Sequence, residues 1–495
     1  MERSGPEIRV IKGCKVFVIY LEMMEVSVSN HHGTPRIFLF FIAVILKLTA
    51  SAVSGAAFVV HSGLLYTLGI VLWLFWFALL WFIALPVTDA LLKKHGRRLK
   101  KVAIAIIAFV ILLSGLEFFG AMTGKIGDFQ SNFLGADTHN LLGALQTGYG
   151  YNDSTVLCQQ ASENLLQGKN PYQSSNIVAG GIEFGVPYDR LTPIQTGRFT
   201  GSFPYPTGPE METVWDEAVL NPADPPPEFE SGMNYPAASF VLPALFVAAG
   251  ITDIRWIYLL FVLAGVIFVV WKSPPKLRLW LLAGIIASVE IWNSLASGET
   301  GILFFPFLLA SWVMWRKNWW LSAIFMGIAI SIKQLPWFFV PFYLILIFRF
   351  FGVRRTFLTS AIVLGVFAAF NLPFIMSDPG LWLHSITAPM IDRFFPIGVG
   401  FVSLEISGYL KIDSRLFFGA LELAAGLAGM IWYYLNCRRY PYTGLILAVL
   451  PLFFAWRSLW SYFFYFDVII LAMIISDEYA ENKKPLTSAL VYPPS

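Results

Sequence analysis

A chain of 495 residues that is 57% hydrophobic and only 13% charged differs from ordinary soluble proteins, in which about 25% of residues are charged. With 17 Trp and 45 Phe, it carries more apolar surface than a water-soluble fold of that size can hide, whereas lipid accepts such surface. The net charge of +3 has no nucleic-acid-binding face behind it, and Cys14, Cys158 and Cys437 stand too far apart for a CxxC pair or a metal-type cluster.

Residues 1–35 are mixed and contain Arg3, Arg9, Lys12 and Lys15. The apolar run that follows lacks a small-residue cleavage site, so it is expected to stay as a membrane span. Runs near 36–59, 63–90 and 102–122 are long enough to cross a bilayer. Lys93, Lys94, Arg97, Arg98, Lys100 and Lys101 lie between the second and third, and the positive-inside rule assigns that loop to the cytoplasm. The unit 36–122 therefore ends with an outward-running span, and 1–35 is a cytoplasmic segment.

Everything from 123 to 236 is then expected outside. It holds 13 Asp or Glu against four Lys or Arg, is rich in Pro, Gly and Asn, and has no stretch apolar enough to cross. A loop that long is functional or disordered rather than a connector. Within it, Val156, Leu157, Leu165 and Leu166 recur at helical spacing after Asp153, which predicts an amphipathic helix along the membrane surface. Gly168 ends it and Asn170-Pro171-Tyr172 turns the chain away. Asp153 is read either as the N-cap of this helix or as a site residue.

The bundle 237–476 opens with an apolar segment, 237–250, read as a re-entrant or interfacial helix because a crossing there would invert every later loop. Basic clusters at Lys272/Lys276/Arg278, Arg316/Lys317, Arg354/Arg355 and Arg438/Arg439 mark inner ends. They predict spans near 254–271, 279–296, 301–315, 319–333, 335–350, 356–376, 416–436, 441–456 and 458–476. The expected architecture is an all-α membrane protein of about twelve transmembrane helices, with a cytoplasmic tail at 477–495 and both termini inside.

That topology gathers polar residues at the outer hairpin tips: Glu290, Asn293, Glu299, Lys333, His384, Asp392, Arg393 and Arg457. Outward-facing cations oppose the orientation bias, and an anionic ligand such as a phosphate explains them. Lys333 is equally compatible with snorkelling, Arg457 with pairing to Glu290 or Glu299, and His384 with a plain loop residue. Glu290 sits deeper, where an ionisable group is costly and usually functional. Lys47, Glu117 and Asp467, inside spans, read first as structural partners.

An acidic residue after an early outward span, then a surface helix ending in Gly168-x-Asn170-Pro171-Tyr172, resembles the GT-C superfamily of membrane glycosyltransferases. Tyr235-Pro236-Ala237-Ala238-Ser239 entering an apolar run, and the G-x-A-x-x-x-K-x-x-P run from Gly327 through Lys333 to Pro336, extend the likeness. The nearest group is glycosyltransferase family 87, of mannosyl- and arabinosyltransferase type, over roughly 100–470. Where that family commonly has Gly-Gln, this chain has Gly298-Glu299. The run from Tyr172 to Tyr235 is longer than the family's, as an insertion or small external subdomain would make it. The slightly different spacing from Asp153 to Tyr172 leaves Asp128 and Asp137 as rival acids.

The resemblance implies a polyprenyl-phosphate-linked sugar as donor, a glycan or glycolipid acceptor, and a multi-pass location in the plasma (inner) membrane with the site extracytoplasmic. It implies Asp153 as general base, with Lys333, Arg457, Arg393 and His384 on the donor phosphate. Glu299, Asn293, Glu290, Asn170 and Tyr172 are then the sugar- or acceptor-binding residues. No Asp-x-Asp pair occurs in the outer loop, so the metal-dependent members of the superfamily are poorer models, and neither metal nor cofactor is expected. A polytopic transporter or flippase for lipid-linked or anionic substrates is the competing class, although the halves show no strong internal repeat.

Overall fold

The computed structural model describes residues 35–123, 151–412 and 414–481. Residues 1–34, Asp128, Asp137 and most of the 477–495 tail lie outside the described residues, as does the side chain of Glu117. Among the described residues, six stretches are long and apolar enough to cross a membrane. They are Pro35–Val60 (α1), Gly63–Ala84 (α2), Arg255–Lys272, Val353–Ser377, Arg415–Asn436 and Trp460–Asp477. A seventh arises if the bent pair Arg278–Ala287 and Val289–Ser297 is one span. The chain is a multi-pass, all-α membrane protein, and its only named strands among the described residues are two-residue segments.

Against the twelve crossings expected from hydropathy, the described residues hold six helices of spanning length, or seven with the bent pair counted as one. Five apolar helices among the described residues have only 10–17 residues: Ala238–Val247, Gly301–Met314, Trp319–Ile332, Leu335–Phe351 and Thr443–Phe454. The reason is local. A hydropathy window reads through breaks that the backbone does not, such as the extended residue Lys333 before Pro336. The segment 237–250 becomes a ten-residue helix with Pro243 inside it, about half the length that a crossing needs.

The remaining helices, in chain order, are Gly96–Thr123 (α3), Asp153–Leu166 (α4), Ile177–Phe184 (α5), Gly208–Leu220 (α6), Ala238–Val247 (α7), Arg255–Lys272 (α8), Arg278–Ala287 (α9), Val289–Ser297 (α10), Gly301–Met314 (α11), Trp319–Ile332 (α12), Phe339–Phe351 (α13), Val353–Ser377 (α14), Pro379–Ile391 (α15), Arg415–Asn436 (α16), Thr443–Val449 (α17) and Phe466–Glu481 (α18). α11 and α18 are buried along nearly all of their described side chains and form the centre. α1 packs on α2 and α3, and α12 packs on α11 and α14. Gly327 permits the α12–α14 approach, because a Cβ there would meet Val366 and the Val363 carbonyl at 2.6 and 3.0 Å. By contrast, the spans in α14 and α16 are only 17% buried, and Leu364, Leu372, Leu423 and Ile431 face outward. Rows of exposed apolar side chains on helices that satisfy their own backbone groups suit a lipid surround.

Residues 151–237 fold into a cap of short helices. α4, expected as an amphipathic helix along the membrane surface, has nine of its residues from Ser154 to Asn164 buried. α4 packs along α7, and Ser162 donates to the Phe240 carbonyl at 2.9 Å. Bridges Pro193–Phe229 and Ile194–Phe394 tie the cap to itself and to the segment after α15.

Candidate active site

α4 begins where an extended residue can cap it. That residue is Asn152 (φ −92°, ψ 174°), whose side-chain oxygen accepts the Thr155 N–H at 3.0 Å. Asp153 is therefore the first helical residue rather than the N-cap, and its carboxylate is free for other partners. One oxygen accepts the Ser154 N–H at 2.6 Å and the other accepts the Thr192 hydroxyl. The helix start is anchored to the α10–α11 turn, with Asn152 N–H on the Ser297 carbonyl at 3.2 Å and the Thr155 hydroxyl on Gly298 O. Gly298 has φ +73°, and Thr155 occupies the space its Cβ would need, so this turn demands glycine twice over.

Just past Gly298, Glu299 accepts hydrogen bonds from Tyr465 at 3.3 Å and Ser294 at 3.4 Å, and stands 3.7 Å from the Lys333 ammonium. Lys333 leaves α12 in extended conformation and lies 5.2 Å from the centre of the Tyr235 ring. The neighbouring Gln334 donates to the Asn234 and Ile386 carbonyls at 2.6 and 3.0 Å, joining the two motif segments and α15. Arg457 comes from a third direction. It sits on a two-residue strand (β2, Arg457–Ser458) paired in parallel with Ile397–Gly398 (β1), its guanidinium 4.5 Å from the Phe394 ring centre. Among the described residues it has no ion pair within 4.0 Å, and it is not joined to Glu290 or Glu299.

These segments converge electrostatically. Arg457 and Lys333 are the cations that act on Asp153. Burial pushes the Asp153 carboxyl up, opposed by the Thr192 hydroxyl, the Ser154 N–H, Arg457 and Lys333 in that order. Burial thus weighs against the charged carboxylate, and the two cations offset part of that cost.

Not every expected residue joins. Glu290 is turned to Lys47, 3.6 Å away, inside the bundle; it begins α10, whereas Glu299 lies beyond its end. Asn170 uses its side chain to cap the one-turn helix Pro171–Ser174, accepting the Tyr172 N–H at 3.1 Å. Tyr172 is 5% exposed and donates to the Tyr235 carbonyl at 2.9 Å. Both therefore support Tyr235 from behind. Asn293 is partly exposed on α10. His384 and Arg393 are exposed. Arg393 gives its carbonyl to the Gln195 N–H at 2.6 Å, while His384 and Arg415 both act on Asp392.

Glu230 was not singled out from the sequence. Its N–H donates to the Thr192 carbonyl at 2.9 Å, so the residue that bonds Asp153 also anchors Glu230. Burial raises its carboxyl to about 8, against Arg457, with Asp153 adding to the rise, the Asn234 amide opposing it, and Asp392 adding a further part. Tyr205 also feels Arg457 and Asp153. Proximity to Tyr235-Pro236 was the sole signal for Glu230, and Tyr205 had none. No group of three or more His, Cys, Asp or Glu able to hold a metal occurs among the described residues.

A carboxylate within the electrostatic reach of two cations from remote segments can take a proton from a hydroxyl, and the cations can steady an anionic leaving group. No protein-family model, curated protein or solved structure matches this chain.

Proposed function

We propose that this chain is a membrane glycosyltransferase that moves a sugar from a polyprenyl-phosphate donor to a hydroxyl of an extracytoplasmic glycan or glycolipid. The observation that carries the reading is the convergence of Lys333 and Arg457 on Asp153. In one inverting displacement the acceptor hydroxyl gives its proton to Asp153 while its oxygen bonds to the anomeric carbon. The bond from that carbon to the phosphate oxygen breaks, and the polyprenyl phosphate leaves with the electron pair. Lys333 and Arg457 face the charge that develops on it. Glu299 orients Lys333 and stands where sugar hydroxyls would reach it.

The topology that fits this chemistry has about twelve crossings, some built from short helices in series, with both termini cytoplasmic. The basic run Lys93 to Lys101 holds that side inward, which leaves the α4–α6 cap outside a plasma (inner) membrane. The bent α9–α10 pair, at 54°, favours a second reading as a transporter of lipid-linked anions, since broken helices line many transport sites.

The test is transfer from a panel of radiolabelled polyprenyl-phosphate sugars to envelope acceptors by the full chain in nanodiscs. Asp153→Asn is expected to lose at least about 100-fold in rate while still binding donor. Equal transfer by that variant refutes Asp153 as base. Flux into vesicles without covalent transfer establishes the transporter.

A further inference from the structure

Next to the bend between α9 and α10 lies a second charged cluster that the proposed chemistry does not use. Lys47 of α1, Asp467 of α18 and Glu290 of α10 are 0%, 0% and 5% exposed. The Lys47 ammonium bonds Asp467 at 2.8 Å and the Phe464 carbonyl at 3.3 Å, and it lies 5.9 Å from the Trp76 ring centre. Asp467 also accepts the Val468 N–H at 2.8 Å. Lysine and aspartate therefore satisfy each other as a closed ion pair.

Glu290 is left over. Its nearest cation is Lys47 at 3.6 Å, beyond a good charge-assisted hydrogen bond, and neither carboxyl oxygen accepts any hydrogen bond. Two carboxylates against one ammonium would leave a net negative charge among apolar helices, which such an interior does not tolerate. The first turn of α10 offers only the partial charge of a nine-residue helix. Among the described residues, Lys47 and Asp467 are the charged groups that act most strongly on Glu290. The backbone is built around this spot, since the helix breaks at Ser288 and the Trp292 indole N–H spans the break to the Ile285 carbonyl at 3.2 Å.

We propose that the Lys47–Asp467–Glu290 cluster is a proton-binding site, which holds one proton on the Glu290 carboxyl in the folded protein. The reaction is simple uptake: the Glu290 carboxylate and one solvent proton give the neutral acid, and no other bond changes. Lys47 stays charged and Asp467 stays ionised. α10 also leads directly to Gly298 and Glu299, so the occupant of this site supports the turn that presents Glu299 to Lys333. The inference does not depend on glycosyl transfer and applies equally to a transporter.

The experiment is infrared absorption of the full chain in nanodiscs, in H2O and D2O, recorded as wild type minus variant. Glu290→Gln should remove one carboxylic-acid C=O band that shifts in D2O, and should leave the apparent melting temperature at neutral pH unchanged, because glutamine mimics the neutral acid. Asp467→Asn should also remove the band, since Lys47 and Glu290 then balance and no proton is needed. Lys47→Met should raise it about twofold, as both acids must then be neutral. A Glu290→Gln spectrum superimposable on wild type overturns the proposal. So does a Glu290→Gln protein that fails to fold, because a neutral residue is what the site is argued to hold. A band in choline buffer that disappears when Na+ or K+ is added, at constant pH, would assign the site to a metal cation instead and equally overturn it.

Discussion

Glu230→Gln isolates one ionisation in the cap without removing a hydrogen-bonding side chain. The folded carboxyl titrates at about 8 instead of 4.5, chiefly because of burial, and Arg457 offsets part of that rise. A raised folded value means that the folded state holds the proton more tightly than the unfolded chain. Its contribution is then fully present below the unfolded value and is lost as the pH climbs through the folded one. At about 1.4 kcal/mol per pH unit, the displacement sets an upper bound near 5 kcal/mol. Glu230 retains some solvent contact, which reduces the expectation to about 2–3 kcal/mol. The glutamine variant should match wild type at about pH 5 and be more stable by that amount at about pH 9. Apparent melting temperatures of the two proteins in nanodiscs across that range measure the difference. Burial drives the rise and Asp153 and Asp392 add to it, while Arg457 and the Asn234 amide oppose it. Parallel pH profiles for the two proteins would refute the reasoning, because they would mean that Glu230 is ionised and solvated in the folded state.

Lys333→Ala and Arg457→Ala should each weaken binding of a polyprenyl-phosphate sugar about 10- to 100-fold, the loss of one charge-assisted phosphate contact, measured by equilibrium binding to nanodisc-embedded protein. Arg393→Ala should change it far less, since Arg393 is exposed and gives only its backbone to the cap. Gly298→Ala should cost about 2–4 kcal/mol, from a left-handed alanine added to the collision with Thr155; an unchanged melting temperature would contradict the described turn. Tyr172→Phe removes the hydroxyl bonded to the Tyr235 carbonyl and should lower stability by about 1 kcal/mol without changing the pH at which transfer is fastest.

Much of the candidate site was legible because its parts lie in short local patterns. Asp153 was marked by the start of a helical repeat, and Lys333 by a cation at the end of an apolar run. Arg457 was marked by a charge between two very apolar stretches. Asn170 and Tyr172 were equally visible, yet their side chains face the scaffold. A turn signal in the sequence marks the turn itself and does not say which face of it meets a ligand. Glu290 shows the same limit. Its cost in an apolar helix was plain, but its partner Lys47 is supplied from a helix far away in the chain.

By itself the sequence determined what depends on composition and local chemistry. Hydropathy decided that the chain is helical and multi-pass, and Gly168 and the Asn170-Pro171 turn marked where the first cap helix ends. Only the tertiary structure decided which polar groups share a dry space. It brought Lys333 and Arg457 to Asp153, inserted Glu230 beside them through Thr192, and sent Glu290 inward to Lys47 and Asp467. Helix periodicity and turn chemistry act over a few residues, so the sequence carries them openly. Electrostatic partnership acts across space and depends on how the helices pack.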